Sequence, residues 1–274
     1  MIVNIGDSYI YEDEIMKLNK IKFSKNLISV EDKLTFVYFP DEARLNGERV
    51  PPKSFAKISP NTPFSILTYD NVDLYKIVAK EISDEVEALK KLEREQQIEG
   101  YDRWIDSNVL KELIKDPNWI DPKEVEMERK YPASEWYNKK LKGIVIAKSE
   151  GRFRNPGWGF MDHRASGTFA ISQGDFFEYR KGEEPHFHEK TLEYTLCLRG
   201  SGTLGLGSAD KNEDKYLLKK SRIEKTDFRP MDLLVSRTGK DKSHWLIDID
   251  IPYEHLCWQV PCAGKDRTVV ELRD

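Results

Sequence analysis

Two histidines, His186 and His188, lie one residue apart in a chain of 274 residues that has only five histidines. An acid, Glu193, follows His188 after the four residues EKTL. Successive side chains of a strand point to opposite faces, so the two imidazoles would share one face and Phe187 would lie on the other. A short turn over EKTL would let the carboxylate return to the imidazole face. Neutral imidazoles and a carboxylate suit a divalent first-row ion, so the segment predicts a metal site with open coordination positions.

This segment resembles the first motif of the cupin superfamily. That motif runs glycine, a short spacer, His-x-His, three or four residues, Glu, six residues and Gly. The chain reads Gly182, His186-Phe187-His188, EKTL, Glu193, YTLCLR and Gly200. Only the spacer after Gly182 is shorter than the family's usual one. The resemblance covers residues 170–262 and implies a double-stranded β-helix barrel with the metal inside.

The second motif of the family supplies a fourth ligand, a histidine that follows a Pro-Gly-Asp turn. In RPMDLLVSRTGKDKSHW, residues 229–245, Pro230 and Asp232 are kept, and Met231 stands where the family prefers glycine. The loop before the histidine is also longer than usual. The resemblance therefore implies His244 as the fourth ligand, with His255 as the alternative. His163 is expected at the surface, and its alternative position is the mouth of the cavity.

Other side chains near the motif bear on the substrate. If Glu193 faces the barrel interior, alternation places Thr195 and Cys197 there too, and Tyr194 packs on the opposite face. Arg180 lies just before the motif and could hold a substrate carboxylate or phosphate through its planar guanidinium. The alternative for Arg180 is a surface position on a strand.

Three zones of the sequence must position these residues. Residues 1–70 carry β-rich runs such as LTFVYFP and an Asn46-Gly47 pair typical of a two-residue hairpin turn, but no histidine or cysteine. We expect them to serve architecture, either as a degenerate second cupin half with Phe64 at the ligand position or as strands that extend one barrel. In both cases the apolar runs must be buried against the barrel or a second subunit.

Residues 71–142 are predicted to form a helical connector, because apolar residues recur at intervals of three and four, namely Leu74, Val78, Ile82, Val86 and Leu89. Residues 143–274 again show many short strand-like runs and hold all five histidines. We predict a mainly β fold, in which 143–274 form the metal-binding cupin barrel.

Composition excludes several classes of protein. A formal charge of −4 gives no electrostatic reason to expect nucleic acid as a partner, and no apolar run is long enough to span a membrane. The first residues lack the pattern of a signal peptide, and the three cysteines, Cys197, Cys257 and Cys262, form no metal or disulfide pattern. We therefore expect a cytoplasmic protein with free thiols.

The resemblance implies a metal-dependent enzyme that acts on a small, oxygen-rich, anionic substrate, with dioxygenase chemistry favoured. Isomerisation or a lyase reaction at the same site is one alternative, and a non-catalytic metal or ligand binder is another. The ion could be iron, manganese, nickel, cobalt or zinc, since this ligand set suits them all. A homodimer is expected because many cupins dimerise.

Overall fold

The computed structural model describes residues 1–6, 10–23, 26–69, 72–80, 136–141, 144–149, 161–162, 169–176, 184–189, 192–260 and 267–274. Most of these residues lie in strands, which pair antiparallel except for β18 with β23, and within these ranges the only helical segments are two 3-10 turns, Lys220–Arg222 and Lys240–Lys242. No helix in the described ranges is long and apolar enough to cross a membrane. The predicted mainly β fold is therefore confirmed.

The strands of the first half are β1 (Ile2–Asn4), β2 (Ile10–Glu12), β3 (Met16–Phe23), β4 (Asn26–Val30), β5 (Thr35–Phe39), β6 (Ala43–Leu45), β7 (Glu48–Val50), β8 (Ser54–Ile58), β9 (Pro63–Thr68), β10 (Val72–Ala79), β11 (Trp136–Leu141) and β12 (Ile144–Ser149). Those of the second half are β13 (Met161–Asp162), β14 (Phe169–Phe176), β15 (His186–His188), β16 (Leu192–Gly207), β17 (Asp210–Asn212), β18 (Lys215–Lys219), β19 (Glu224–Phe228), β20 (Asp232–Ser236), β21 (Ser243–Val260), β22 (Arg267–Val269) and β23 (Glu271–Arg273).

A long antiparallel ribbon of β16 and β21 forms the centre of the C-terminal sheet. Its pairing runs from Leu192 with Val260 to Gly207 with Ser243, and the register shifts at three places between Cys197 and Leu204. Glu193 lies near one end of this ribbon and His244 near the other, yet their side chains are 3.3 Å apart. The ribbon must therefore fold over on itself, which places its two halves on opposite walls of a barrel.

We call these the back wall and the front wall. The back wall contains β20 and the ribbon half formed by 192–198 and 253–260. The front wall contains β15, β19 and the ribbon half formed by 202–207 and 243–250. Between the walls lies an apolar cluster that closes the inner part of the barrel, formed by Cys197, Leu204, Phe228, Leu234, Leu246, Ile249 and Tyr253.

Gly200 lies at the bend of the ribbon and has a φ of +76°. A Cβ atom there would lie 2.5 Å from the carbonyl oxygen of Pro252 and 3.0 Å from that of Asp250. Only glycine fits, because the left-handed backbone and the close approach of β21 both exclude a side chain. The glycine that ends the first motif thus allows the fold that brings the ligands together.

We expect Gly200→Ala to lower the free energy of unfolding by about 3 kcal/mol or more, through left-handed strain and a clash with the backbone. Gly47 has a similar φ of +81° but open space where a Cβ would lie, so Gly47→Ala is a matched control that costs about 1 kcal/mol. Denaturant unfolding of both variants measures the difference. Equal losses of stability would contradict the importance of the close approach at Pro252.

The N-terminal strands form two sheets of their own. One has seven strands in the order β11-β12-β8-β5-β10-β3-β2, and the other has four in the order β4-β9-β6-β7. Asn46 and Gly47 both have positive φ between β6 and β7, which confirms the predicted hairpin. The cluster packed within this part is apolar and consists of Val37, Phe39, Ala43, Leu45, Val50, Ala56, Ile58, Phe64, Ile66, Val72, Leu74 and Ile144. This arrangement favours a second β unit over added strands of one barrel.

Two expectations for the middle of the chain need correction. Val72–Ala79 is a strand between β3 and β5, not the start of a helix, because pairing on both sides outweighs the helical spacing of Leu74 and Val78. The remaining positions of that spacing lie outside the described residues. The N-terminal unit also extends further than predicted, since β12, at 144–149, pairs with β8.

The two units pack through the outer face of the back wall. The buried cluster between them joins Ile5, Ile15, Met16, Leu18, Leu34, Phe36, Tyr38, Phe55, Tyr75 and Ile77 to Tyr194, Leu196, Leu233, Val235, Leu256 and Trp258. This contact accounts for LTFVYFP: Phe36 and Tyr38 face the back wall, while Val37 and Phe39 face the N-terminal core.

Polar contacts cross the same interface in both directions. Tyr38 donates a hydrogen bond to Glu254 at 2.7 Å, and Tyr194 donates one to Asp13 at 2.8 Å. Each unit thus supplies a tyrosine to a carboxylate of the other. In addition, β1 leaves the N-terminal unit and pairs with β20 as an edge strand of the C-terminal sheet.

Candidate metal centre

The structure brings together four side chains that the motifs single out: His186, His188, Glu193 and His244. One ligand atom from each lies within 4.8 Å of the others, and all four residues are buried. Among the described residues, no other group of histidine, cysteine and acidic side chains clusters in this way.

The three histidines come from the front wall and the carboxylate comes from the back wall. His186 pairs in register with His244, which places the two imidazoles on one face with ring centroids 4.6 Å apart. Phe187 points to the other face and packs with Trp245 and Tyr216. Across the barrel, the Glu193 carboxylate lies 3.2 Å from Nε2 of His188 and 3.3 Å from Nε2 of His244. The folded ribbon is thus what completes the set.

These donors fit a divalent first-row ion. Ligand atoms about 2.1 Å from one ion are at most about 4.2 Å apart, so the present spacing needs to close by only a few tenths of an ångström. The pKa of His186 is lowered to about 3, first by burial and then by the neighbouring His244, so this imidazole is neutral at neutral pH. Burial alone would raise the pKa of Glu193, but hydrogen bonds with His188 and His244 lower it well below its ordinary value. Neutral imidazole and ionised carboxylate are the metal-binding forms.

Hydrogen bonds on the far side of two rings fix their orientation. Nδ1 of His186 donates to the carbonyl of Glu184 at 2.9 Å, which leaves Nε2 for a metal. Nδ1 of His244 lies 2.8 Å from Oγ of Ser236 and 3.0 Å from the carbonyl of Lys242. Nδ1 of His188 is buried and has no partner in the described part of the chain.

We expect Ser236→Ala to weaken metal binding about tenfold, because the hydroxyl helps to orient His244. Loss of a hydrogen-bond partner of a metal-binding histidine typically lowers metal affinity about 10- to 100-fold. We expect the smaller effect, because the Lys242 carbonyl still accepts the Nδ1 proton of His244. Competition with a fluorescent chelator measures the affinity. Ser201, whose hydroxyl binds the exposed Asp250, provides a control, and Ser201→Ala should leave metal affinity unchanged. An unchanged affinity in the Ser236 variant would show that this contact does not orient the ligand.

Other residues of the motif lie as alternation predicts. Tyr194 is on the outer face of the back wall and stacks on Trp258 at 5.5 Å. Cys197 is in the inner apolar cluster, and burial raises the pKa of its thiol to about 12, so it remains protonated. His255 pairs in register with Cys197 and is buried away from the four-residue cluster. Cys197 is a free thiol, as expected.

Several predicted positions lie outside the described residues, namely Gly182, Arg180, His163 and Cys262.

Arg267 is a neighbour of the cluster that the sequence did not point to. Its Nη2 lies 3.4 Å from Nδ1 of His186. Arg267 lies beyond both motifs, and only the long-range pairing of β15 with β22 brings it here. No local sequence signal could have found it.

No family model matches the sequence. No curated protein matches it either. Among solved structures, the chain is similar to the oxalate decarboxylase of Lactobacillus farciminis in a formate complex, with 11% identity, a TM-score of 0.50 and coverage of 98% of this chain and 88% of that one. It is also similar to a variant of Bacillus subtilis oxalate decarboxylase, with 10% identity, a TM-score of 0.51 and coverage of 98% and 79%. Another structure of the Bacillus subtilis enzyme, from a study of its Mn(II) centres, matches with 10% identity, a TM-score of 0.50 and the same coverage. At these identities the likeness concerns the fold.

Proposed function

We propose that this chain, which has the cupin fold, is a metal-dependent enzyme that acts on a small, oxygen-rich, anionic substrate. The observation that carries the proposal is the buried cluster of three imidazoles and one carboxylate. Four protein ligands leave positions open on an ion that accepts five or six. His186, His188, Glu193 and His244 would hold that ion, and it would be a divalent first-row metal.

A bound ion would supply Lewis-acid polarisation of a substrate oxygen. The chain supports this chemistry by excluding water, because the ligands lie between two walls and the inner barrel is closed by apolar side chains. Glu193 is the only charged ligand, so it offsets one of the two charges of the ion. The centre would keep a net positive charge that favours an anion.

Three reaction types fit such a centre. We favour dioxygenase-type oxidation, for which a redox-capable ion held by the four residues would supply the chemistry with O₂ as the oxidant. The second candidate is a lyase reaction such as decarboxylation, and it is supported by the similarity of the fold to oxalate decarboxylases. Sugar isomerisation uses the same ligand set and is the third possibility.

The test combines metal analysis with oxygen consumption. The purified protein is analysed for metals by mass spectrometry, and small hydroxy, oxo and dicarboxylic acids are then supplied in an oxygen electrode. Bound iron with O₂ uptake supports oxidation, and product formation without O₂ uptake supports a lyase or an isomerase. Metal and acid binding without turnover would identify a non-catalytic binding protein. Absence of metal after reconstitution would contradict the proposal.

We also propose a homodimer in the cytoplasm. The outer face of the four-stranded N-terminal sheet exposes an apolar group that a second copy could cover, formed by Ile28, Val30, Leu67 and Tyr69. Ile28 is 75% exposed. Light scattering of the wild type and of Ile28→Lys tests this contact, because the charged side chain should weaken the dimer. If both proteins form dimers of equal stability, this face is not the dimer contact.

A further inference from the structure

We propose that Arg267 is the anion anchor of the metal centre and that it binds the carboxylate of the substrate. This inference rests on the proposed function, since it assigns a residue to the recognition of the same anionic substrate. It differs from the expectation for Arg180, which lies outside the described residues.

The register of β22 places Arg267 on the ligand face. Residues directly opposite each other in an antiparallel pair project to the same face of the sheet. Arg267 is opposite His188, and Val269 is opposite His186. The guanidinium therefore projects on the side of the two imidazoles, and its Nη2 lies 3.4 Å from Nδ1 of His186. The side chain of Arg267 remains exposed to solvent, so an incoming molecule can reach it.

The donors of Arg267 have no acceptor in the described part of the chain. Nδ1 of His186 gives its proton to the carbonyl of Glu184 and cannot accept one from the guanidinium while Nε2 serves a metal. No carboxylate forms an ion pair with Arg267 among these residues, although other exposed arginines do have such partners. Arg49 pairs with Glu42, and Arg222 pairs with Asp210. A planar fork of donors beside buried ligands matches the geometry of a carboxylate.

The surrounding charges also favour an anion. The loop after Ser236 packs against β15, where the Gly239 amide donates to the carbonyl of His188 at 2.7 Å. This loop carries Arg237, Lys240 and Lys242, and its one acid, Asp241, accepts a hydrogen bond from Ser208. The acids Glu184 and Glu189 flank β15, but neither forms an ion pair with Arg267.

The test compares the full-length wild type with Arg267→Gln, Arg267→Lys and the control Arg273→Gln. Arg273 is also an exposed strand arginine, but it lies on β23, which pairs with β18. Each protein is prepared without metal and with Co(II). Calorimetry then measures the binding of lactate and of lactamide, a neutral analogue of the same shape, while Co(II) absorption reports on the metal.

All four proteins should bind the same amount of Co(II). Arg267→Gln should weaken lactate binding about 10- to 100-fold, as expected for loss of charge-assisted hydrogen bonds, and lysine should restore part of it. Lactamide binding should not change, and Arg273→Gln should behave as the wild type. Lactate binding that is equal in Arg267→Gln and the wild type would overturn the inference, as would a loss of Co(II) from that variant.

The two proposals fail in different ways. If the wild type takes up no Co(II), the proposed function fails, and the titrations of metal-free protein still decide on Arg267. Lactate binding that only Arg267→Gln loses would then support the anchor. If the wild type binds lactate neither without metal nor after treatment with Co(II), the role of Arg267 as an anchor is overturned.

Discussion

Replacing His186 and His188 together with alanine should abolish stoichiometric metal binding while the protein remains folded. The double change leaves only Glu193 and His244, which cannot hold a first-row ion against buffer and chelator. The fold should persist because neither imidazole belongs to the apolar clusters that join the strands and the two units. Elemental analysis, together with circular dichroism, measures both properties.

His255→Ala is the matched control, since it also removes a buried histidine from the barrel but lies outside the ligand cluster. It should retain metal at the level of the wild type. A folded double variant of His186 and His188 that still holds one ion per chain would refute the assignment. Loss of metal from the His255 variant alone would make His255 the better fourth ligand.

The isolated fragment 150–274 should be insoluble or aggregated, although it contains all four ligands. Removal of the N-terminal unit uncovers six large side chains on the back wall, namely Tyr194, Leu196, Leu233, Val235, Leu256 and Trp258. It also removes β1 from the edge of β20 and leaves Glu254 without Tyr38. A continuous apolar face with an open strand edge is an aggregation site. Expression followed by size-exclusion chromatography measures the outcome.

Co-expression of residues 1–149 as a separate chain provides the control for this experiment. If the exposed back wall causes aggregation, the two pieces should associate and the fragment should become soluble. A fragment that is soluble, monomeric and fully metal-bound on its own would show that the N-terminal unit is a separable module. Its function would then have to be sought independently.

The four side chains that the structure brings together could be named from the sequence because the motif records local geometry. Alternation on β15 places His186 and His188 on one face, and Gly200 marks the bend that returns Glu193 to them. The hairpin at Asn46 was also predicted from a local signal, the Asn46-Gly47 pair. By contrast, β10 has apolar spacing that suits a helix, and only its pairing with β3 and β5 makes it a strand. Pairing partners distant in sequence cannot be read from such spacing.

The same limit applies to what surrounds the cluster. Nothing in the local sequence indicates that β12 belongs to the N-terminal sheet, because its pairing with β8 joins residues 86 to 92 positions apart, from Ile144 with Ile58 to Ala147 with Phe55. Arg267 reaches His186 only through β22. The sequence did indicate that LTFVYFP must be buried, but whether a second subunit or the barrel covers it depended on the tertiary arrangement.

The pairing of β1 with β20 has a consequence for synthesis on the ribosome. Asn4 and Asp232, which are hydrogen-bonded at the β1–β20 pair, are 228 residues apart. At about 5 to 20 residues per second, β1 waits roughly 10 to 50 seconds for its partner to be made. During that interval the N-terminal sheet also presents Phe36 and Tyr38 to solvent, since the back wall that covers them does not yet exist. The nascent chain therefore exposes an aggregation-prone apolar surface for most of its translation. Slower translation or depletion of chaperones should lower the yield of this protein more than the yield of a protein whose early strands pair locally.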